Sequence, residues 1–165
     1  MSEDLMDSDF DKAYDFVLKW EGGKVDDPKD RGGRTNRGVV QRTYNAYRKD
    51  HNLPIQDVWD ATLAETAEIY KTMFWDAAGC NDLDWPLNLA LFDFAVHSNP
   101  TRAKQKLQEV RTGGVTGLTT QEMAEALVAK RRLFLQRIVV ANPSQRKFLK
   151  GWMNRIDALE EAIKQ

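Results

Sequence analysis

The chain has 165 residues, enough for one domain with a substantial core, and its 42% hydrophobic and 30% charged residues exclude a low-complexity disordered polypeptide. A formal net charge of −1 argues against an electrostatic nucleic-acid binder, because phosphate binding calls for a marked basic excess. The single cysteine, Cys80, excludes an intramolecular disulfide and suits synthesis in the cytoplasm. The acidic N-terminal stretch lacks the basic and apolar regions of a secretory signal. No apolar run approaches the ~18 residues of a membrane span, so no stable membrane association is expected.

Residues 1–7 read as an acidic tail. Ser8 with Asp11 makes a capping box, and Phe10, Ala13, Tyr14, Val17 and Leu18 recur at helical spacing. A helix is therefore expected over about 9–21, with Glu21 on its last turn beside Trp20 and a left-handed termination at Gly22–Gly23. Residues 22–37 form a loop or short irregular hairpin, since Pro28 and two glycine pairs forbid a helix there. Helical patterning resumes at about Gly38 and runs to His51, before Pro54. Thr62 with Glu65 caps a further helix carrying Leu63, Ala67, Tyr70 and Phe74. Residues 76–86 are a connector. Leu87 to Val96 is apolar nearly all round, as a buried central helix is. Asn99-Pro100 ends it and opens the next helix, to about Val110. Gly113, Gly114 and Gly117 mark a loop. Thr119 with Glu122 caps a long helix to about Val140, and Pro143 separates it from a last helical stretch over about 144–163, which Gly151 is positioned to break. No segment alternates as a strand does, and there is no internal repeat. The class is all-α, with allowance for a small β-hairpin near residues 24–37.

The chemistry concentrates in residues 20–38, Trp-Glu-Gly-Gly-Lys-Val-Asp-Asp-Pro-Lys-Asp-Arg-Gly-Gly-Arg-Thr-Asn-Arg-Gly. Glu21 and Asp30 lie nine positions apart and Thr35 five further on. They meet only if the loop folds back over the helix end. Two carboxyl groups so placed suit glycoside cleavage, in which one protonates the leaving group and the other stabilises positive charge or activates water. Glu21, beside an apolar ring, would be the general acid, and Asp30, among Lys29, Arg31 and Arg34, the ionised partner. Thr35 would orient a water. From spacing alone, a glycine-capped helix followed by a solvated acidic turn accounts for the stretch slightly better. Other chemistries fit less well. Asp26, Pro28 and Asp30 do not form a calcium loop, because Arg37 stands where a bidentate Glu is needed. There is no phosphate-binding Gly-Lys-Ser/Thr. His51 and His97 are far apart and Cys80 has no nearby histidine, so no metal is expected. Cys80 reads as a small buried hydrophobe. Asp93, inside the apolar helix, needs an arginine or backbone partner. His97, Ser98 and Asn99 end that helix, where they could line a cleft. Trp59, Trp75, Trp85 and Trp152 offer sugar-stacking faces, although core packing is favoured for most of them. Arg131 and Arg132 read as a solvated face.

Trp20-Glu21-Gly22-Gly23, Asp27-Pro28, Asp30, Gly32-Gly33, Thr35-Asn36 and Gly38-Val39 strongly resemble the N-terminal signature of glycoside hydrolase family 108, phage and bacterial N-acetylmuramidases of the lysozyme-like superfamily. The resemblance continues through Phe74-Trp75-Asp76, Gly79-Cys80, Asp82-Leu83, Pro86 and Leu91 to Val96, and resumes at Gly151-Trp152 and Asn154-Arg155. It departs at His97-Ser98-Asn99, where the family more often has Asn-Ser-Gly, and in the altered turn at 113–119. The resemblance implies a single lysozyme-like domain over 1–165. Residues 8–75 would be its catalytic part, and 76–165 a helical part similar to a predicted peptidoglycan-binding region. It implies hydrolysis of the β-1,4 bond between N-acetylmuramic acid and N-acetylglucosamine, with Glu21, Asp30 and Thr35 as catalytic residues. Gly33, Asn36, Gln41, His97 and Asn99 would be substrate contacts. It implies no cofactor, a monomer acting on peptidoglycan, and an endolysin held in the host cytoplasm until a holin-like partner gives it passage. A lytic transglycosylase would use the same Glu without requiring Asp30. A non-catalytic peptidoglycan-binding phage protein would need neither.

Overall fold

The structure is a computed structural model and describes residues 8–26 and 33–165. The chain divides into two compact units, Tyr14–Met73 and a second made of the residues up to Ala13 with Phe74–Gln165. The first helix, α1 (Asp9–Leu18), runs across that division.

The capping box that opens α1 is formed: Asp11 N–H donates to Ser8 Oγ at 3.1 Å and Ser8 N–H to Asp11 Oδ2 at 3.3 Å. The helix ends three residues before Glu21, which corrects the expectation that Glu21 sits on its last turn. The cause is local tightening. Lys19 N–H bonds Phe16 O and Trp20 N–H bonds Val17 O, both three residues back, and Val17 O also accepts from Glu21 N–H, so the regular helix gives way to a tighter turn that closes at Glu21. Neither Gly22 nor Gly23 adopts a left-handed φ, a second correction. The chain passes within a few residues into β1, a path with no need of a left-handed reversal.

In the Tyr14–Met73 unit, strands β1 (Lys24–Asp26), β2 (Arg34–Asn36) and β3 (Val39–Val40) form an antiparallel sheet in the order β1-β2-β3. Val25 pairs with Thr35 and Lys24 with Asn36; Thr35 then pairs with Val40 and Asn36 with Val39. The β2–β3 connection is the two residues Arg37 and Gly38, at φ 50° and 79°. Two successive positive φ values are the signature of a type I′ hairpin turn. The expected helical start at Gly38 is thus corrected: residues 38–40 are turn and strand, and α2 runs from Gln41 to Asp50. Side chains alternate across the strands, so Asn36 and Val39 are buried while Thr35 and Val40 lie on the more open face. A short 3-10 turn, Val58–Asp60, is tied to β2 by Trp59 Nε1–H donating to Thr35 O at 3.1 Å. Helix α3 (Leu63–Tyr70) opens with the Thr62–Glu65 capping box and passes into a π-helical turn, Lys71–Asp76.

The second unit is helical. Helix α4 (Leu87–His97) is buried from Leu87 to Ala95 and packs against α5 (Pro100–Arg111) and α6 (Thr120–Ala141), and α7 (Arg146–Ala162) packs on α6. Phe10, Trp75 and Phe92 meet edge to face, with ring centroids 5.4–5.6 Å apart. Gly151 does not break α7. An exposed helical glycine costs about 1 kcal/mol, less than the helix recovers by burying Ile156 and Leu159. Among the described residues no helix is long and apolar enough to cross a membrane.

Candidate active site

The hairpin brings distant residues to Glu21. Strand β2 returns antiparallel to β1, which begins three residues after Glu21, and Arg37 N–H donates to Gly23 O at 3.2 Å. The Arg37–Gly38 turn is thereby set at the end of α1. A methyl group built on Gly38 would lie 3.0 Å from Glu21 Oε2 and collide with the Tyr70 hydroxyl oxygen. Glu21 is half-buried, so its carboxyl is held by neighbours while still reached by solvent. Tyr70 closes α3 and is buried, and its hydroxyl donates to the Arg37 carbonyl at 2.7 Å. Behind it the Tyr14 ring lies 5.2 Å away, and Tyr14 O–H donates to the buried Thr66 hydroxyl at 3.0 Å. Burial pushes the Tyr14 phenol above its ordinary value, against the opposing effects of the Thr66 bond and the Arg37 charge. Arg37 reaches the other way, its guanidinium donating to Ala61 O at 3.3 Å.

The other sequence-derived site residues are distributed as follows. Asp30 lies outside the described residues. Gly33 precedes β2 with φ 68°, and the space where a side chain would stand is open. Thr35 sits on the open face of the sheet opposite Val25. Asn36 is buried on the other face and donates from Nδ2 to Val58 O at 3.0 Å. Gln41 uses its whole carboxamide locally: Nε2 donates to Asn45 Oδ1 and Gln56 O, both at 2.8 Å, and Oε1 accepts from Val58 N–H. Gly33, Thr35, Asn36 and Gln41 belong to the Tyr14–Met73 unit. His97 and Asn99 belong to the other. Asn99 caps α5, its Oδ1 accepting from Arg102 N–H at 2.7 Å.

His97 sits beside a buried charge cluster. Asp93 is fully buried on α4 and accepts from both Arg131 and Arg155, the latter through Nε at 3.1 Å and a terminal nitrogen at 2.7 Å. Burial opposes the Asp93 charge, but the two guanidiniums more than reverse this and hold its carboxyl at about 2. Asp93 has the arginine partners its position demanded. Arg131 corrects the reading of residues 131 and 132 as a solvated face: it is 1% exposed, and its second nitrogen donates to His97 Nδ1 at 2.7 Å. Desolvation, reinforced by the positive charges of Arg131 and Arg155, pushes the His97 imidazole down to about 4. Arg132 does face outward, toward Asp157 and Glu160. Cys80 is buried and its thiol is pushed up to about 12, chiefly by desolvation, so it has no nucleophilic character at neutral pH.

A cavity of about 360 Å³ lies in the Tyr14–Met73 unit, lined among others by Ala46, Tyr47, His51, Glu68 and Met73. Neither Glu21 nor Gly38 lines it. Among the described residues no group of histidine, cysteine and carboxylate side chains is arranged to hold a metal.

The glycosyl hydrolase 108 family model matches residues 14–98, a span that contains Glu21, the whole sheet and α4. The chain belongs to the glycosyl hydrolase 108 family. The solved structure of Brucella abortus SagA is similar to it over 93% of this chain and 92% of that one, with a TM-score of 0.72 and 29% sequence identity. No curated protein matches the chain. The helical fold with its small three-stranded sheet is that of a lysozyme-like family 108 member, as the residues around Glu21-Gly22-Gly23 implied. The chain is accordingly a glycoside hydrolase of a peptidoglycan-cleaving family. Three residues beside Glu21, namely Arg37, Gly38 and Tyr70, were not assigned to the site from the sequence. The Arg37-Gly38 pair before Val39-Val40 carried only its glycine as a turn signal, since Arg-Gly is not one of the pairs, such as Asn-Gly or Asp-Gly, that mark a two-residue hairpin. Tyr70 carried none, because its partner lies 33 positions away.

Proposed function

We propose that this family 108 protein is an N-acetylmuramidase that hydrolyses the β-1,4 bond between N-acetylmuramic acid and N-acetylglucosamine in peptidoglycan. The family match across residues 14–98 carries the proposal, since that span holds Glu21, Asp30 and Thr35. Glu21 protonates the departing glycosidic oxygen. Asp30 and Thr35 direct a water to the opposite face of the anomeric carbon in a single displacement, a mechanism that in glycosidases generally calls for carboxyl groups ~6.5–9.5 Å apart. Half-burial of Glu21 against Gly38 supports its part, because a general acid must be both oriented and within reach of substrate. Gly33 and Thr35, both partly exposed, contact the sugar directly. Asn36 and Gln41, whose side chains are committed to Val58 and its neighbours, shape that sugar-contacting surface from behind. As an endolysin, the protein acts as a monomer and reaches the wall with a holin-like partner.

Mass spectrometry of fragments from purified peptidoglycan tests the reading. The wild type is expected to release reducing N-acetylmuramic acid ends, and folded Glu21→Gln is expected to lose activity by at least ~1,000-fold. Anhydro-muramic ends would instead identify a lytic transglycosylase. Undiminished cleavage by Glu21→Gln would remove Glu21 from the mechanism. Wall binding by a wild type that cleaves no wall would identify a binding protein.

A further inference from the structure

We propose that Tyr70 is a positioning residue for Glu21, acting through the Arg37–Gly38 turn. The inference rests on the reading of Glu21 as the general acid. Three observations carry it. The Tyr70 hydroxyl donates to the Arg37 carbonyl at 2.7 Å, which fixes the peptide between the two left-handed residues of the turn. The space over the Gly38 Cα is shared by that hydroxyl and by Glu21 Oε2, so all three groups converge on one point. The phenol is itself held, buried at 2% exposure against the Tyr14 ring, whose own hydroxyl bonds Thr66 one helical turn earlier on α3. Helix α3 thus sets Tyr70, Tyr70 sets the turn, and the turn forms the wall against which the Glu21 carboxyl rests. Gly38 has two separable reasons to be glycine: its φ of 79°, and the lack of room beside the Tyr70 hydroxyl.

The two reasons can be separated by mutation. Tyr70→Phe keeps the buried ring and removes only the hydroxyl. It is expected to lower kcat by roughly 10- to 100-fold, the effect of loosening a reacting group, with KM nearly unchanged. Gly38→Ala is expected to lower kcat further, because the new methyl meets both the hydroxyl and the carboxyl. The combination Tyr70→Phe with Gly38→Ala is expected to be more active than Gly38→Ala alone, since the methyl can occupy the space the hydroxyl vacates. Activity on peptidoglycan and thermal midpoints would be measured for all three, with Glu21→Gln as the reference. Wild-type kcat in a folded Tyr70→Phe overturns the proposal. So does a double variant no better than Gly38→Ala, which would leave backbone conformation as the whole cause. A drop in Tyr70→Phe activity that only follows a lower thermal midpoint, with kcat per folded molecule unchanged, overturns it as well. Full activity of Glu21→Gln would overturn the reading beneath it, a result distinct from any of these.

Discussion

At the scale of single residues, the molecule commits most heavily at Asp93. Its carboxylate is the shared anion of two buried guanidiniums, and both depend on it for compensation of their desolvation. Removing one member of such a cluster leaves an uncompensated charge in the core, which costs about 3–5 kcal/mol. Asp93→Ala is therefore expected to destabilise the protein by about that amount in denaturant unfolding, while leaving the Glu21 region chemically intact. Arg132→Ala, whose partners are partly exposed, is expected to cost under about 1 kcal/mol in the same assay. The contrast between neighbouring arginines was invisible in the sequence. Residues 131 and 132 differ only in which side of α6 they occupy, and the identity of the packed side depends on where α4 lies.

At the scale of elements, the capped helix starts carried strong local signals, and the ends of α2, α4, α5, α6 and α7 fall within one residue of expectation. The Ser8, Thr62, Asn99 and Thr119 caps are all formed, because each is a contact within a few residues. The end of α1 and the start of α2 were displaced from expectation, because strand pairing between β1, β2 and β3 draws residues 22–40 into extended and turn conformations that periodicity cannot register. Glu65 shows how a cap acquires a tertiary duty. It completes the box with Thr62, accepts from the Tyr44 hydroxyl at 2.9 Å and pairs with Arg48 at 3.1 Å, so it joins α3 to α2. Thr62→Ala is expected to cost about 1 kcal/mol and lower the thermal midpoint by about 2–4 °C. Glu65→Ala is expected to cost more than Thr62→Ala, because the inter-helix bonds go with the cap. Equal effects of the two substitutions would show that the bonds to α2 contribute nothing.

At the scale of the whole molecule, the buried cluster makes stability depend on pH. His97 titrates near 4 in the folded protein and near 6.5 when unfolded. Its folded value is depressed, so the unfolded chain takes up a proton first as pH falls. The His97 contribution to stability is fully present above pH 6.5 and is lost toward pH 4, by an amount of the order of 3 kcal/mol. Asp93, also depressed, adds a second loss as pH falls from about 3.8 toward 2. Thermal midpoints measured from pH 7.5 to 4 are expected to fall for the wild type and to fall less steeply for His97→Gln. Parallel curves for the two proteins would assign the acid sensitivity elsewhere.

The sequence by itself determined the helical class, the caps, the buried α4 and the family signature around Glu21, because these depend on spacing, turn chemistry and residue type within short windows. Only the tertiary structure decided that a three-stranded sheet carries Gly38 to Glu21, that Tyr70 stands behind that turn, and that Arg131 is buried against Asp93 and His97. Each of these joins residues more than fifteen positions apart. Such contacts are selected by which faces pack together, and a single sequence records that choice only through its outcome.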